Sequence, residues 1–204
     1  RDTLIVVRGL IAAGRLDQAR AILQQFARFE EHGTLPNMIR GEESRDRETS
    51  DAPLWLYVAC ADLLAATGDG VLAADCGGRS LRDVLLAMGR SLAEGAPNGV
   101  GMDRDSGLLF SPAHYTWMDT NYPACSPRQG YPIEIQALWY AAVALLARID
   151  TGQKKPWKDL GRRIRTSIVV SSSGVAGSST IAPLVPRFAS SNTKPGREKM
   201  SSGR

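Results

Sequence analysis

Cysteine and histidine are scarce in this sequence. Its 204 residues include three cysteines and two histidines. Cys60, Cys76 and Cys125 have the spacing neither of a zinc site nor of a disulfide framework, and Cys60 lies within an apolar helical segment. We therefore predict no metal site, no cofactor and a reducing, cytoplasmic location.

Long apolar runs are also absent. No run reaches the length needed to cross a bilayer, and the first residues lack the charged and apolar regions of a signal peptide. These absences predict that the protein has no membrane partner. The chain begins at Arg1 without a methionine, so we expect that sequence upstream of it is missing.

The excess of positive over negative charge lies in the last quarter of the chain. Residues 1–150 hold 14 Lys and Arg against 19 Asp and Glu, whereas residues 151–204 hold 11 against 2. The basic part is rich in Ser, Gly and Pro and has no interleaved aromatic residues, which argues against nucleic-acid binding.

Hydrophobic periodicity predicts an all-α protein with helices of two alternating types. The first, third and fifth predicted helices are apolar nearly all round, whereas the second and fourth have one apolar face. We expect the odd helices to be buried and the even helices to face water. The predicted ranges are 3–14, 16–32, 51–67, 80–94 and 134–149, with a sixth helix starting near Trp157.

Loop lengths alternate in the same way. The segments 34–50 and 95–131 are long, and the second contains a β-hairpin pattern that turns at Asp105, Ser106 and Gly107. Repeated helical hairpins with the apolar member inside predict a partial α/α six-hairpin barrel, whose long loops and hairpin share one rim. That rim also receives the N-termini of the first, third and fifth helices.

Carboxylates mark these N-termini. Asp2, Asp51 and Glu134 begin the three apolar helices, and Asp119 lies in the loop before the fifth. A single acid at a helix N-terminus is most simply a cap that meets free N–H groups. Three on alternate helices predict instead a shared cavity lined by carboxylates.

Tryptophans accompany the acids. Trp55 follows Asp51 by four positions, Trp117 precedes Asp119 by two and Trp139 follows Glu134 by five. Carbohydrate sites combine carboxylates, which bind hydroxyls and donate protons, with flat rings that cover the apolar faces of sugars. Trp55 and Trp139 could equally be core residues of buried helices, so Trp117, in a polar loop, is the better ligand candidate.

Six segments together resemble one known family. "RDTLIVVRGLIAAGRLDQARAIL", "GTLPNMI", "TSDAPLW", "DSGLLF", "YTWMD" and "SPRQGYPIEIQALWYAAVALLARI" are similar, in order and spacing, to motifs of the glucosidase domain of glycogen debranching enzymes (amylo-α-1,6-glucosidase). The resemblance covers residues 1 to about 168. It implies an α/α barrel and an inverting hydrolase whose substrate is an α-glucan, glycogen or limit dextrin, from which it removes α-1,6-linked glucose.

The resemblance also implies roles for individual residues. Asp51 matches the family's general acid, and Arg1 and Asp2 match a pair that binds hydroxyls of the terminal glucose. Trp117, Asp119, Arg128 and Glu134 match rim positions that we assign to substrate binding, together with Trp55. The stretch "SRDRETSD" departs from the family, which usually has a Tyr-Asn pair shortly before the acid.

An inverting mechanism needs a second carboxylate about 6.5–9.5 Å from the acid to activate water. The resemblance puts this base downstream of the matched motifs, with Asp119 and Glu134 as the only local substitutes. We therefore expect the isolated chain to lack glucosidase activity. Burial beside Trp55 and neighbouring carboxylates would raise the pKa of Asp51 and keep it protonated.

The end of the chain differs in character from the rest. Helical periodicity fades from about Thr166, so we predict a partial barrel domain over residues 1–168, truncated at both ends, and a disordered or frameshifted tail over residues 169–204. Two other functions stay open at this point. One is a different inverting α-glycosidase, glucoamylase-like or trehalase-like, and the other is a non-catalytic helical-repeat interaction module.

Overall fold

The computed structural model describes residues 1–39, 44, 46–120 and 126–174. Six α-helices and one two-stranded antiparallel sheet make up this part of the chain, so the fold is all-α with a small sheet. Cys125 and residues 175–204 of the predicted tail lie outside the described residues. In chain order the elements are α1 (Asp2–Ala12), α2 (Leu16–Arg28), α3 (Asp51–Thr67), a 3-10 helix (Asp69–Ala73), α4 (Leu81–Glu94), β1 (Gly101–Met102), β2 (Leu109–Phe110), α5 (Ile133–Ile149) and α6 (Lys154–Gly174).

Helix α2 ends earlier than predicted, at Arg28 rather than His32. His32 and Gly33 both have positive φ, 48° and 86°, which an α-helix cannot contain. They form the centre of a tight turn in which Glu31 and Thr34 exchange both backbone hydrogen bonds. The apolar periodicity of α2 does not reveal this turn, because Phe29 continues the pattern beyond the last helical residue.

Helix α6 extends further than predicted. It begins at Lys154 and runs to Gly174, past Thr166, so residues 169–174 are helical rather than disordered. Trp157, Leu160 and Ile164 are buried at helical spacing, and Ile168 packs against the same core. Ser167 also donates a hydrogen bond from Oγ to the carbonyl of Ser106, at 2.8 Å. These contacts with the body of the protein hold the helix where the local sequence is a weak helix former.

The alternation of buried and amphipathic helices is confirmed for α3 and α5 but not for α1. Ten residues of α3 and nine of α5 are buried. In α1 only Leu4 and Val7 are buried, whereas Ile5 is 40% exposed and Val6 is 62% exposed. Among the described elements α1 packs against α2 and α3 on one side, which leaves the opposite apolar side in contact with water.

The core lies where α3, α4 and α5 meet. Tyr57 of α3 is fully buried and donates a 2.6 Å hydrogen bond to the carbonyl of Leu85 in α4. Gly89 lets α4 approach α5 closely, because a Cβ atom there would lie 2.6 Å from Cδ1 of Leu146. Cys60 is buried in the same cluster, as its position in an apolar helix predicted.

The predicted β-hairpin is present and is fixed to α5. Met102 of β1 pairs with Leu109 of β2. The side-chain amide of Gln136 accepts from the backbone N–H of Leu109 and donates to its carbonyl, at 2.8 and 2.9 Å, so it acts as a further strand partner. Trp139 is completely buried and donates from Nε1 to the carbonyl of Gly107, which confirms the core interpretation of this tryptophan.

The described helices place α3 between α1 and α5, with α4 against α5 and α2 against α1 and α3. This neighbour order agrees with an inner series of apolar helices, but the closed ring of six hairpins stays a prediction. None of the described helices is long and apolar enough to cross a membrane.

Candidate functional site

Asp51 is the first residue of α3 and is almost completely buried, with 3% of its surface exposed. Its Oδ1 accepts a 2.8 Å hydrogen bond from the hydroxyl of Thr49, and its Oδ2 lies 3.4 Å from an Nη1 donor of Arg1. The backbone N–H of Ala52 donates to the Thr49 hydroxyl rather than to Asp51. The N-cap residue, Ser50, makes no side-chain capping bond, so Thr49 one residue earlier supplies the capping acceptor and the carboxyl of Asp51 is not used for it.

Arg1 is the centre of a carboxylate network at the N-termini of α1 and α3. Besides Asp51, its guanidinium contacts Asp2 at 3.2 Å and Asp119 at 3.3 Å, and it donates to the carbonyl of Thr116 at 3.1 Å. The side chain of Arg1 is 16% exposed, whereas that of Asp2 is 87% exposed. Four of the predicted site residues therefore lie within one set of ion pairs.

Electrostatics set the protonation of this network. Burial raises the pKa of Asp51, and its hydrogen bond from Thr49 and the charge of Arg1 offset this shift only in part. Burial lowers the pKa of the Arg1 guanidinium, but its interactions with Asp51, Asp2 and Asp119 outweigh that effect and raise it overall. Arg1 is thus a permanent cation beside an acid that retains its proton to higher pH than a free aspartic acid.

Trp117 lies on the loop that crosses the start of α3. The backbone N–H of Ser50 donates to the carbonyl of Tyr115 at 2.8 Å, and the hydroxyls of Ser50 and Ser111 are 2.8 Å apart. Trp117 follows Thr116, whose carbonyl Arg1 holds, and it is 58% exposed. The loop therefore presents an exposed aromatic ring next to the carboxylate network, as its polar surroundings in the sequence predicted.

Arg128 and Glu134 form a separate pair at the start of α5. Nε of Arg128 donates to Oε1 of Glu134 at 2.8 Å, and Nη2 contacts both carboxylate oxygens. Arg128 has a φ of 49°, a backbone conformation that is uncommon for residues other than glycine. The described contacts do not join Glu134 to Asp51.

Ser111 connects the two groups. Its backbone exchanges hydrogen bonds with Gly130, at 2.7 and 2.9 Å, and its hydroxyl contacts Ser50. The start of α3 and the segment that leads into α5 therefore lie on either side of Ser111. The prediction that distant acids gather at one end of the helices holds for Asp2, Asp51 and Asp119, while Glu134 lies with its own partner beyond Ser111.

Trp55 has different surroundings. It packs against the core, and the guanidinium carbon of Arg8 lies 5.9 Å from the centre of its ring, within cation–π distance. Arg8 is also paired with Asp62, further along α3 and away from Asp51. These contacts fit the core interpretation of Trp55, and its role in sugar binding stays a prediction.

Two cavities border the network. One, of about 530 Å³, lies between the start of α1 and α2 and includes Arg1, Asp2, Gln25 and Phe26 in its lining. The other, of about 320 Å³, is lined by polar groups that include Asn37, Glu48, His114 and Asp119. Both volumes are within the usual range of small-molecule sites. Asn37 lines both cavities, so the two lie side by side.

The residues that hold Asp51 in place are not apparent from the sequence. Arg47 lies in the stretch that departs from the family, and it turns inward to donate to the carbonyls of Thr34 and Phe29. Asn98 donates from Nδ2 to the carbonyls of Arg47 and Thr49, at 2.9 and 3.3 Å. Ser50, rather than Thr49, directly precedes the acidic helix start, so nothing local in the sequence indicates the contribution of Thr49 or of Asn98.

Comparison with known proteins yields one family. A search of curated proteins finds no match. The family model described as amylo-alpha-1,6-glucosidase matches residues 1–171, which include α1 to α5, most of α6 and every predicted site residue. The chain therefore belongs to the amylo-α-1,6-glucosidase family, as the order of its six motifs predicted.

Proposed function

We propose that residues at the N-termini of α1 and α3 form a glycosidase site for α-1,6-linked glucose at the branch points of an α-glucan, with Asp51 as general acid. The observation that carries the proposal is the position of Asp51. It is a buried carboxyl at a helix start, with the capping role taken by Thr49, and an arginine joins it to two further acids.

The chemistry asked of Asp51 is the transfer of one proton. In an inverting hydrolysis the acid protonates the glycosidic oxygen as the C1–O bond breaks, while a base takes a proton from the water that attacks C1. A carboxyl can donate near neutral pH only if it retains its proton there, and burial shifts the pKa of Asp51 in that direction. The family resemblance places the base downstream of the matched motifs.

The other residues of the site have binding roles. Asp2 and Asp119 offer carboxylate oxygens to sugar hydroxyls, while Arg1 donates hydrogen bonds and holds the two acids at one place. The exposed ring of Trp117 covers the apolar face of a glucose unit. Arg128 and Glu134 form the opposite side of the site beyond Ser111. None of these roles needs a metal or a cofactor.

The acid assignment is tested in an active family member by exchanging the residue that aligns with Asp51 for Asn. Asparagine keeps the size of the side chain but has no proton to transfer. We expect glucose release from limit dextrin to fall by at least about 10²-fold, the usual contribution of a general acid. Retention of full activity would show that Asp51 is not the acid.

The binding assignment is tested on this chain by tryptophan fluorescence. Trp117 is exposed, while Trp139 and Trp157 are buried, so a ligand at the site should change the emission of Trp117. We expect limit dextrin to quench fluorescence and Trp117→Phe to remove the response. Trehalose and linear maltooligosaccharides serve as comparison ligands, and an equal response to trehalose would favour a trehalase-like site instead.

A further inference from the structure

The hydrogen bonds around Asp51 distinguish its two carboxyl oxygens. Oδ1 is within 2.8 Å of the Thr49 hydroxyl, whereas Oδ2 is on the side of Arg1. Thr49 is itself 2% exposed, so its hydroxyl has few other partners. The environments of the two oxygens are therefore unequal before any substrate binds.

The Thr49 hydroxyl has one proton, and its direction is determined by its neighbours. The backbone N–H of Ala52 donates to this oxygen, which occupies one lone pair. The single hydroxyl proton is then free to point at Oδ1 of Asp51, the acceptor at 2.8 Å. Oδ1 consequently accepts from the Thr49 hydroxyl, while Oδ2 accepts from Nη1 of Arg1 over the longer distance of 3.4 Å.

We propose that Thr49 is a positioning residue that orients the carboxyl of Asp51 through Oδ1 and stabilises the carboxylate that remains after proton transfer. The proposal rests on the proposed function, in which Asp51 gives up its proton. As the proton moves from Asp51 to the glycosidic oxygen and the C1–O bond breaks, Asp51 becomes a carboxylate. The hydrogen bond from Thr49 then stabilises the negative charge as it forms.

Asn98 holds Thr49 in position from outside the helix. Its Nδ2 donates to the carbonyls of both Arg47 and Thr49, and its Oδ1 accepts from the backbone N–H of Val100. The loop after α4 thus fixes the backbone on which the Thr49 hydroxyl depends. Asn98 therefore acts on Asp51 indirectly, through the position of Thr49.

The other charged groups around Asp51 are grouped around Arg1 or are paired with each other. From the start of α1 it is faced by the Arg1 guanidinium and the amino group of the chain, and Asp2 and Asp119 act on it through Arg1. On the side of α5, Arg128 and Glu134 are paired with each other. The crossing loop contributes the uncharged hydroxyl of Ser111, which bonds to Ser50. None of these groups contacts Oδ1. Removal of the Thr49 hydroxyl should therefore change the pKa of Asp51 directly.

The experiment is a ¹³C NMR titration of the aspartate carboxyls in the full 204-residue chain, with Asp51 assigned by Asp51→Asn. Thr49→Val removes the hydroxyl and keeps the shape, Thr49→Ser keeps the hydroxyl, and Thr67→Val makes the same change at the far end of α3. Thr67 donates to the carbonyl of Leu63 and so matches Thr49 as a helix-bonded threonine.

We expect the titration midpoint of Asp51 to move to higher pH in Thr49→Val, because the charged form loses a hydrogen bond. The midpoint should stay near the wild-type value in Thr49→Ser and Thr67→Val. A folded Thr49→Val with an unchanged midpoint overturns the proposal, as does an equal shift in Thr49→Ser or Thr67→Val.

If Thr49→Val does not fold, Asn98→Ala takes its place, because it leaves α3 and Thr49 intact. A rise in the midpoint of Asp51 supports the proposal, and an unmoved midpoint overturns it. The titration is independent of sugar binding. A midpoint that responds to Thr49 without any glucan binding would refute the proposed function alone, whereas glucan binding with an unresponsive midpoint would refute the role of Thr49 alone.

Discussion

The guanidinium of Arg1 contacts Oδ2 of Asp51 and Oδ2 of Asp119 through two different nitrogens, at 3.4 and 3.3 Å. Asp119 is 118 positions from Arg1 in the sequence, so residues distant along the chain are held on one cation. The buried Asp51 and the more exposed Asp119 are thus neighbours across the width of a single guanidinium, which is the arrangement that the proposed site requires.

Replacing Arg1 tests this arrangement. Arg1→Gln removes the positive charge, so we expect the pKa of Asp51 to rise further and the loop at Thr116 to lose its anchor. Glucan binding, measured by the fluorescence of Trp117, should weaken by about tenfold, the loss of one charge-assisted hydrogen bond. Arg8→Gln is the matched control, since Arg8 lies in α1, which Arg1 directly precedes, and pairs with Asp62. Equal effects of the two changes would argue against a special role for Arg1.

Trp117 offers a second test. Because its ring is exposed, Trp117→Ala should leave the free energy of unfolding within about 0.5 kcal/mol of the wild-type value. Binding of limit dextrin, measured by calorimetry, should nevertheless be lost. Tyr140→Ala is the control, because Tyr140 is also an exposed aromatic residue, 42% exposed, but lies on α5. Normal binding by Trp117→Ala would remove this residue from the site.

Asp150 governs a pH dependence at the junction of α5 and α6. Burial raises its pKa, but hydrogen bonds from Nε1 of Trp157 and the backbone of Gln153 outweigh burial and lower it overall. A pKa below the unfolded value, about 3.9, means that Asp150 stabilises the fold above that pH. This stabilisation is lost as the pH falls through the folded pKa.

Asp150→Asn should therefore cost about 1–3 kcal/mol of unfolding free energy at pH 7 and progressively less in acid. Urea unfolding followed by the fluorescence of Trp157 measures both values. Asp159→Asn is the control, because Asp159 lies on α6 in a more exposed ion pair with Arg162. A cost for Asp150→Asn that is the same at every pH would contradict the assignment.

Gly89 tests the packing of α4 on α5. Gly89→Ala places a methyl group 2.6 Å from Cδ1 of Leu146 and 3.1 Å from the hydroxyl of Tyr57, so we expect a loss of about 1–3 kcal/mol in unfolding free energy. Gly9→Ala, in the middle of α1, meets no atom within 4 Å and should stabilise the protein by about 0.4–1 kcal/mol. Urea unfolding of both variants checks the contrast, and a stabilised Gly89→Ala would contradict the close approach.

Element positions were predictable from the sequence where two local signals coincide. The range 51–67 of α3 matches the prediction, because an acidic start and a terminal glycine flank one apolar stretch. The end of α2 was missed because Phe29 continues the apolar pattern into a turn that depends on the positive φ of His32. The extension of α6 was missed because Ser167 and Ile168 are held by contacts distant in the chain.

The acidic residues of the candidate site could be predicted from the sequence, but the residues that position them could not. Carboxylates at helix starts are visible in the sequence, so Asp2, Asp51 and Glu134 could be named together, with Asp119 from the loop before the fifth helix. Which of them share one set of ion pairs, and that Glu134 does not, could not be predicted. Thr49 and Asn98 could not, because their importance lies in hydrogen bonds whose partners the sequence does not show. The exposed side of α1 was also missed, since an apolar helix reveals its composition but not which of its sides another element covers.

Two hydrogen bonds between the Gln136 side chain and the backbone of Leu109 join the small sheet to α5. The helix thereby satisfies backbone groups at the edge of the strand. The chain leaves that sheet at Phe110 and reaches Ser111 one residue later, where it is bound again, to Gly130 and Ser50. These hydrogen bonds connect the base of the loop that bears Trp117 to the core. A sugar that stacks on Trp117 would therefore bind to a loop whose base is already bonded to the body of the protein, so this part of the backbone need not be ordered on binding.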